Sequence, residues 1–387
     1  MVKFLHFSDT HLGNREYGES FREEDFYEAF QEAINIGLSE HVDFFIHTGD
    51  LFDTWNPGNH ALLKFKDFAR QISDANRGMY IIMGDHDRPK RRDDPASKIF
   101  DFLGVKLLDD GAPDARRNVE LSYDGESMLL YGISNMKGLR KDLLVEEYRK
   151  AESMATDYRS SVLLSHQAVS PYLHPEACEA RYDDLPKTFS YLAFGHIHDH
   201  VVRDKEYPVF SYAGSTDMTS SSEIARFLKG GKGVNLVEVK GGEVSVERVR
   251  LKSTRFQVEV TARQENYIDE LEKMHSRYAD RFGEKKPMVL LTITGESDRE
   301  EVKNSLKKLS DQYFFRRVRF DPQKEVSVEE PNMNSLIDYF KAYFGDDSMS
   351  SLANEVYETL RDDEFEKARR VILEKLGIDF EVGNYDN

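Results

Sequence analysis

The sequence predicts an α/β protein whose sheets mix parallel and antiparallel strands and carry helices on their outer faces. The N-terminal part alternates short apolar runs with longer segments of helical periodicity, which indicates parallel strands joined by helices. Later apolar runs flank Gly241-Gly242, where a tight turn favours an antiparallel hairpin. The chain has 387 residues, of which 39% are hydrophobic, and this is enough apolar material for a large core.

The first elements follow from the spacing of apolar residues. Short apolar runs predict strands, and apolar residues three or four positions apart predict helices. In chain order the elements are strand Phe4–Phe7, helix Phe21–His41, strand Val42–Ile46, helix Asn59–Asn76 and strand Met79–Met83. Helix 59–76 has a wide apolar stripe. The opening is therefore a βαβαβ arrangement.

The middle of the chain continues this alternation and adds hairpins. The first hairpin spans Val119–Ser134 and turns at Asp124-Gly125. The other predicted elements are helix Leu139–Tyr158 and strands Val162–Leu164, Tyr191–Phe194, Val209–Tyr212, Val234–Val239 and Val244–Leu251. Residues 1–252 are therefore expected to form one large domain.

The rest of the chain predicts a smaller α/β domain, a linker and a helical tail. Residues 253–323 contain predicted strands Phe256–Val260, Met288–Ile293 and Phe314–Phe320 and predicted helices Tyr267–Phe282 and Arg299–Gln312. Residues 324–334 are polar, as is typical of a linker. The tail, residues 335–387, begins with the apolar helix Ser335–Phe344, which either packs on its own chain or binds a partner, and a second helix ends near Leu376.

Composition and charge limit the classes of function. The net charge of −18 argues against an indiscriminate nucleic-acid binder, although basic runs such as Arg88–Arg92 and Arg316–Arg319 are either DNA contacts or ordinary solvated surface. Cys178 is the only cysteine, which excludes a disulfide within the chain and fits a reducing cytoplasm. No apolar stretch approaches the roughly 20 residues of a membrane span, and the N-terminal stretch becomes polar too early for a signal peptide. We therefore expect a cytoplasmic protein with no membrane partner.

Aspartates and histidines follow several predicted strands at the point where each strand ends. These side chains are Asp9, His11, Asp50, Asp85, His166, His196 and His198. The carboxyl ends of strands in an open α/β sheet form the edge where ligands bind. Each short motif by itself is weak evidence for a metal site. In GDHD, for example, the acidic residues Asp85 and Asp87 could be plain turn residues. Together these seven side chains are too many ligands for one zinc ion, and their number suits two metal ions that share a carboxylate.

The chemistry of these donors indicates the kind of metal. All are oxygen or nitrogen donors, and no cysteine takes part, which favours harder divalent ions. We therefore expect two Mn²⁺ ions, with Fe²⁺ and Zn²⁺ as the alternatives.

The order of the motifs resembles that of a known family. D-x-H, GD, GNH[DE], H and GHxH, in this order, are typical of the calcineurin-like metallophosphoesterases. The segments HLG, FREEDFYEAF, GDLF, SHQ, DLP, LAFGHIH and YAGST further resemble the double-strand-break repair nucleases of the meiotic-recombination-eleven and SbcD type. The resemblance implies a core of two packed mixed sheets flanked by helices, a small α/β capping domain and a C-terminal helical tail.

The resemblance also implies roles for individual residues. Asp9, His11, Asp50 and His198 correspond to the first manganese site, and Asp50, Asp85, His166 and His196 correspond to the second, with Asp50 bridging. His86 corresponds to a histidine that binds no metal and acts on the leaving group. The residues expected to contact DNA are Arg88, Lys90, Arg91, Arg92, Gly214 and Ser215.

The implied function is a DNA exonuclease and endonuclease that repairs double-strand breaks with a metal-activated hydroxide. Its substrates would be single-stranded DNA and duplex ends, and its place would be the nucleoid. Its implied partners are a coiled-coil ABC-type ATPase, bound through residues 335–376, and a second copy of the chain, bound through helix 59–76.

One residue departs from the family pattern, because this chain has GDH where the family has GNH. Asp85 offers a carboxylate in place of a neutral amide, so it should bind a divalent cation more tightly but remove one unit of positive charge. We therefore expect Asp85→Asn to raise the nuclease rate. Two alternatives stay open: a DNA-tethering scaffold with reduced catalysis, and another phosphoesterase that acts on phosphoproteins or cyclic nucleotides.

Overall fold

The structure, a computed structural model, consists of two compact units, Met1–Lys324 and Glu325–Asn387. It describes residues 1–90, 93–112, 114–123, 125–138, 141–322, 340, 346–361 and 371. The predicted linker 324–334 lies outside the described residues, as does all of the predicted helix Ser335–Phe344 except Phe340. In the second unit, the described part includes one long helix.

Strands and helices alternate along much of the chain. The strands are β1 (Val2–Phe7), β2 (Phe44–His47), β3 (Gly78–Ile81), β4 (Val105–Leu107), β5 (Asn118–Tyr123), β6 (Glu126–Ile133), β7 (Ser160–His166), β8 (Val169–Ser170), β9 (Ala180–Arg181), β10 (Tyr191–Gly195), β11 (Val201–Arg203), β12 (Val209–Tyr212), β13 (Gly233–Lys240), β14 (Glu243–Arg250), β15 (Gln257–Arg263), β16 (Met288–Thr294) and β17 (Phe314–Asp321). The helices are α1 (Ser20–Ser39), α2 (Asn59–Asp74), α3 (Lys141–Ala155), α4 (Ile224–Gly230), α5 (Tyr267–Tyr278), α6 (Arg299–Lys307) and α7 (Asp347–Arg361).

Two six-stranded mixed sheets form the core of the first unit. The first has the order β14-β13-β1-β2-β3-β4, and the second has the order β11-β12-β10-β7-β6-β5. Strands β1 to β4 are parallel, as are β12, β10, β7 and β6, whereas the outer hairpins pair antiparallel. This arrangement confirms the predicted α/β fold with mixed sheets.

The inner faces of the two sheets pack against each other. Phe4, Phe44 and Ile46 of the first sheet share a fully buried apolar cluster with Leu164 and Ala193 of the second. The outer face of the first sheet is covered by α1 and α2, and that of the second by α3. Both sheets are therefore fixed on two sides, which holds the loops at their ends in place.

A smaller three-stranded sheet follows in the same unit. Its strands β15, β16 and β17 are parallel. Leu291 of β16 packs with Leu271 of α5 and Val302 of α6 in a cluster of its own. Arg255 connects this part to the core, because its guanidinium lies 2.7 Å from the carboxylate of Asp25 in α1.

The FREEDFYEAF segment has a structural role in α1. Arg22 is fully buried and contacts three carboxylates, those of Glu16, Asp25 and Asp217, at 2.8, 2.6 and 2.8 Å. Because Asp217 follows β12 and α1 follows β1, these ion pairs tie the two sheets together close to the edge that carries the predicted metal ligands.

The structure places some boundaries differently from the sequence prediction. The second strand starts at Phe44, because the side chain of Asp43 accepts a hydrogen bond from the backbone of Lys3 at 2.8 Å and closes a turn there. The helix predicted to reach Gln312 ends at Lys307, and the one predicted to reach Phe282 ends at Tyr278 with a 3₁₀ turn after it. Strands β4, β8, β9 and β11 and helix α4 were not predicted, because they are too short to show a period.

None of the described helices is long and apolar enough to span a membrane.

Candidate metal centre

The predicted ligands meet at one edge of the two sheets. Asp9 and His11 follow β1, Asp50 follows β2 and Asp85 follows β3, while His166 ends β7 and His196 and His198 follow β10. These strands are parallel within each sheet, so their carboxyl ends point the same way. A backbone bridge between Ser8 and Ser215 joins the two sheets at this edge.

Several of these residues have a left-handed backbone. The φ angles are 50° at Asp9, 42° at His11, 54° at Asp50 and 89° at His196. Such angles are uncommon outside glycine and cost free energy, so the surrounding structure must impose them. Backbone hydrogen bonds from Asp9 N to Gly49 O and from His11 N to Asp50 O, each 3.0 Å long, hold the first two loops together. The strain is therefore concentrated where side chains must turn toward a common point.

Two glycines allow the loops to approach closely. A Cβ at Gly84 would lie 1.9 Å from Asp50 Oδ1, and one at Gly49, where φ is 97°, would lie 2.3 Å from His166 Nδ1. Real Cβ atoms do not make such contacts, so any other residue would displace a predicted ligand.

One group of donor atoms comes from Asp50, Asp85, His166 and His196, and these atoms all lie within 4.8 Å of one another. Asp85 Oδ1 is 3.1 Å from His196 Nδ1 and 3.4 Å from His166 Nε2. Asp50 Oδ2 is 3.5 Å from the same His166 Nε2. These four residues are the set expected for the second metal site.

A second group comes from Asp9, His11 and His198, again within 4.8 Å. His11 Nε2 lies 3.3 Å from His198 Nε2, and His198 Nε2 lies 3.8 Å from Asp9 Oδ1. Asp50 Oδ2 is 3.8 Å from His11 Nε2. The same oxygen of Asp50 therefore faces both groups, as a bridging ligand must.

Neighbouring residues fix the orientation of the histidine rings. His198 Nδ1 donates to Glu223 Oε1 at 3.0 Å, and His166 Nδ1 donates to the carbonyl of Thr48 at 2.7 Å. Each ring therefore turns its Nε2 toward the donor group, which is the usual arrangement of metal-binding histidines. Glu223 was not predicted, and nothing in its local sequence distinguishes it from a surface glutamate.

The cluster requires positive charge. Burial lowers the pKa of His11, but the carboxylates of Asp53, Asp50 and Asp9 outweigh that effect and raise this pKa to about 9. The pKa of His166 is also raised, because Asp50 and Asp85 outweigh its burial. These acidic groups therefore hold protons on the rings, and divalent cations can replace those protons.

The donors fit divalent metal ions. Within the described part of the chain, the buried Nε2 of His166 has no hydrogen-bond partner, although two carboxylates face it. Two ligands about 2.1 Å from one ion, at tetrahedral or octahedral angles, lie about 3.0–3.5 Å apart, close to the separations between these donor atoms. The set contains only carboxylate and imidazole donors, which suit Mn²⁺, Fe²⁺ or Zn²⁺ and do not select one of them.

Comparisons with known proteins agree with this geometry. Residues 2–200 match the family model described as calcineurin-like phosphoesterase. The chain is 44% identical to the DNA double-strand break repair protein Mre11 of Thermoplasma acidophilum, over 91% of this chain and 92% of the relative. The chain belongs to the Mre11 family. It is also 33% identical to the Mre11 of Sulfurisphaera tokodaii, over 85% of this chain and 83% of the relative, and 28% identical to that of Methanocaldococcus jannaschii, over 92% and 99%.

His86, expected to be the catalytic residue of this Mre11-family chain, lies beside the two groups. Its ring Nδ1 donates to the carbonyl of Asp53 at 2.7 Å, and its backbone N–H donates to Asp50 Oδ1 at 2.9 Å. The ring is exposed and meets the ring of His11 edge to face, with centroids 4.8 Å apart. His86 Nε2 is therefore the ring nitrogen left for a substrate.

The two acidic residues of GDHD have different roles. Asp85 faces two histidines, whereas the buried carboxylate of Asp87 accepts hydrogen bonds from the backbone N–H groups of Leu51, Phe52 and Gly84. Burial, together with the nearby Asp50, raises the pKa of Asp87 to about 6. The turn interpretation therefore applies to Asp87, which braces the loop.

The residues expected to contact DNA differ in how exposed they are. Lys90 is exposed, Arg88 donates to the carbonyl of Asn135, and Arg91 and Arg92 lie outside the described residues. Gly214 and Ser215 are in a different position from the one expected, because both are buried and Ser215 is only 1% exposed. Gly214 packs on the backbone of residues 198–200, and Ser215 pairs with Ser8. Both residues support the site from inside and offer no surface to DNA.

The outer oxygen of Asp85 has a basic partner that was not predicted. Lys137 Nζ lies 2.9 Å from Asp85 Oδ2, on the loop after β6. The two residues are 52 positions apart, so no local pattern connects them.

We predict that Gly84→Ala weakens metal binding at least tenfold. The added methyl group would meet Asp50 Oδ1 at 1.9 Å and Asp50 N at 2.5 Å, so the bridging carboxylate must move. Titration of the metal-free protein with Mn²⁺ in a calorimeter measures the effect. The matched control is Gly58→Ala, whose added methyl group meets open space. Equal Mn²⁺ affinities in the two variants would contradict the assignment of Asp50.

Proposed function

We propose that the chain is a two-metal DNA phosphodiesterase that acts as exonuclease and endonuclease in double-strand break repair, with Mn²⁺ as its metal. The observation that carries the proposal is the single oxygen, Asp50 Oδ2, facing both donor groups. Membership of the Mre11 family supports DNA as the substrate, because the relatives are named for double-strand break repair.

Different residues of the site would have different roles in phosphodiester hydrolysis. Bound divalent cations would polarise the phosphate and lower the pKa of a water molecule. Asp9, His11, Asp50 and His198 would hold one cation, and Asp50, Asp85, His166 and His196 the other. His86 Nε2 can give a proton to the leaving oxygen, because the bond from Nδ1 to the carbonyl of Asp53 fixes the ring.

Two observations bear on the alternative functions. The match to the first relative covers 91% of this chain and therefore includes the three-stranded sheet as well as the phosphoesterase core, which favours the repair nuclease over other phosphoesterases. The scaffold alternative assumes that the added negative charge of Asp85 reduces catalysis. The ion pair between Asp85 and Lys137 offsets this charge and therefore argues against the scaffold alternative.

The proposed domain and partner assignments follow the family layout. We keep residues 1–252 as the nuclease domain, 253–323 as the capping domain and 335–376 as the segment that binds a coiled-coil ABC-type ATPase in the cytoplasm. If this is so, a chain that ends at Val328 stays folded and no longer co-elutes with the ATPase. Co-elution of the shortened chain would contradict the assignment.

We predict that His166→Ala and His86→Ala both reduce DNA cleavage but differ in metal binding. His166→Ala should abolish Mn²⁺-dependent cleavage of single-stranded DNA and lose one bound ion. His86→Ala should slow cleavage by about 10²- to 10⁴-fold and keep both ions, because it donates no atom to either group. Cleavage rates and ion counts by mass spectrometry measure the two effects.

A phosphopeptide and a cyclic nucleotide serve as comparison substrates. Faster turnover of either one than of DNA by the unmodified protein would contradict the nuclease assignment. Loss of an ion in His86→Ala would show that this residue is a ligand.

The apolar stripe of α2, which is the proposed homodimer surface, is only partly accessible to a second copy of the chain. Phe65, Phe68 and Ile72 of that stripe are buried within the chain itself. Leu63 of α2 is 55% exposed, and Phe102, on the 3₁₀ segment Ala96–Leu103 that packs against α2, is 72% exposed. These exposed side chains are the candidates for a contact between two copies.

We predict that the double substitution Leu63→Glu and Phe102→Glu gives a monomer. Two carboxylates in a buried apolar contact would remain unpaired, which opposes association. Light scattering at micromolar concentration reports the mass. The control is Leu173→Glu, at a residue that is 43% exposed elsewhere on the surface. A monomeric unmodified protein, or a dimeric double variant, would refute this surface.

A further inference from the structure

A basic cavity of about 410 Å³ lies beside the metal centre. Its charged side chains are Arg226, Lys229, Lys232, Arg248, Arg250 and Asp199, five basic residues against one acidic residue. The whole chain carries a net charge of −18. Such a local reversal of charge is typical of a surface that binds anions.

The basic groups of the cavity are only partly neutralised. Arg226 pairs with Asp199 at 2.9 Å, and Lys232 pairs with Glu223. Among the described residues, no carboxylate forms an ion pair with Lys229, Arg248 or Arg250, and the buried Nε and Nη1 atoms of Arg248 lack hydrogen-bond partners. Burial and the neighbouring Arg250 lower the pKa of Arg248 to about 10. Arg248 Nη2 donates to the carbonyl of Gly231 at 3.0 Å, so Nε and Nη1 are the donors of this guanidinium that are left for an anion.

The cavity borders the metal centre at His198. His198 belongs to its lining, and Lys232 Nζ lies 3.3 Å from the carbonyl of His198. The glycine-rich segment KGGKG, residues 229–233, begins in the last turn of α4 and brings both of its lysines to the wall of the cavity. Gly231, directly after the helix, has a positive φ of 67°. This segment was not among the predicted site residues, although lysines between glycines are a common feature of phosphate-binding loops.

We propose that this cavity binds a backbone phosphate of the DNA strand, one that neighbours the phosphate cleaved at the metals. The proposal rests on the proposed nuclease function and extends it to a second contact with the strand. Arginine forks match phosphate oxygens in geometry and charge. Arg226, Lys229 and Arg250 are exposed, so a long strand can reach the cavity from solvent.

The test compares two double variants that remove the same charge. Arg248→Gln with Arg250→Gln removes two guanidinium groups of the cavity that form no ion pair with any carboxylate that the structure describes. Lys240→Gln with Arg263→Gln removes two exposed basic residues elsewhere. Fluorescence anisotropy with a single-stranded oligonucleotide gives the Kd across a salt titration, with Ca²⁺ in place of Mn²⁺. Inorganic phosphate, titrated in a calorimeter, is the second probe.

The cavity variant should bind DNA about tenfold more weakly. The slope of its salt dependence should fall by about 0.7, since each phosphate of a single strand that the protein neutralises contributes about 0.7. The control variant should show a much smaller loss. Equal losses in the two variants, or no loss in either, would overturn the proposal. So would an effect on phosphate binding alone, which would indicate a site for a free anion. Cleavage by the unmodified protein is measured separately, so failure of the nuclease function is distinguishable from failure of this contact.

A second inference comes from the partner of Asp85. One oxygen of Asp85 faces His166 and His196, and the other lies 2.9 Å from Lys137 Nζ. The carboxylate is 28% exposed and the lysine side chain 45% exposed, so solvent only partly screens the pair. A carboxylate with an ammonium partner has the same total charge as the neutral amide that the family resemblance implies.

We infer that Lys137 offsets the negative charge that Asp85 adds to the metal centre. Removing the ammonium should leave a more negative site, which binds cations more tightly and repels phosphate more strongly. Lys137 is a positioning and charge-balancing residue, because it reaches the centre only through Asp85.

A double-mutant cycle tests this inference. Lys137→Met in the unmodified chain should tighten Mn²⁺ binding, measured by calorimetry, by roughly three- to tenfold and should slow DNA cleavage. The same substitution in an Asp85→Asn background should change Mn²⁺ affinity less than about twofold, because the exposed ammonium of Lys137, without its carboxylate partner, is no longer held beside the centre. Lys240→Met is the control for loss of a distant charge. Equal effects of Lys137→Met in the two backgrounds would overturn the inference.

Discussion

The loops that follow three parallel strands, β1, β2 and β3, bring the carboxylates of Asp9, Asp50 and Asp85 into the same small volume. The rest of the site depends on holding these negative charges close together. The left-handed backbones of Asp9, Asp50 and His196 turn the side chains inward, and Gly84 removes the Cβ that would otherwise strike Asp50. Carboxylates held this close repel one another unless positive charge lies between them. The raised pKa of His11 and His166 shows the same requirement, since protons supply that charge when cations do not.

The surrounding residues extend this balance of charge outward. Glu223 orients His198 and is itself held by Lys232, which also forms part of the basic cavity. At the other donor group, Lys137 contacts the oxygen of Asp85 that does not face the histidines. Basic side chains therefore lie next to both donor groups in a chain whose net charge is −18.

The sequence was sufficient to predict the mixed sheets and to predict that these Asp and His residues meet at one edge of them. Both predictions depend on short patterns: apolar runs, and Asp or His directly after a strand. It did not reveal Glu223 or Lys137, because their partners lie 25 and 52 residues away and only the folded sheets bring them together. Gly214 and Ser215 were expected to contact DNA because they occur in the YAGST motif, yet packing of the two sheets buries them. Burial depends on the whole fold, which a motif does not describe.

The most direct test of the central claim is anomalous diffraction from a crystal of this protein soaked in Mn²⁺. The account predicts two peaks about 3.5–4 Å apart, with Asp50 in contact with both and Asp85 in contact with the one shared by His166 and His196. A single peak, or two peaks that Asp50 does not bridge, would contradict the claim that this carboxylate organises the site.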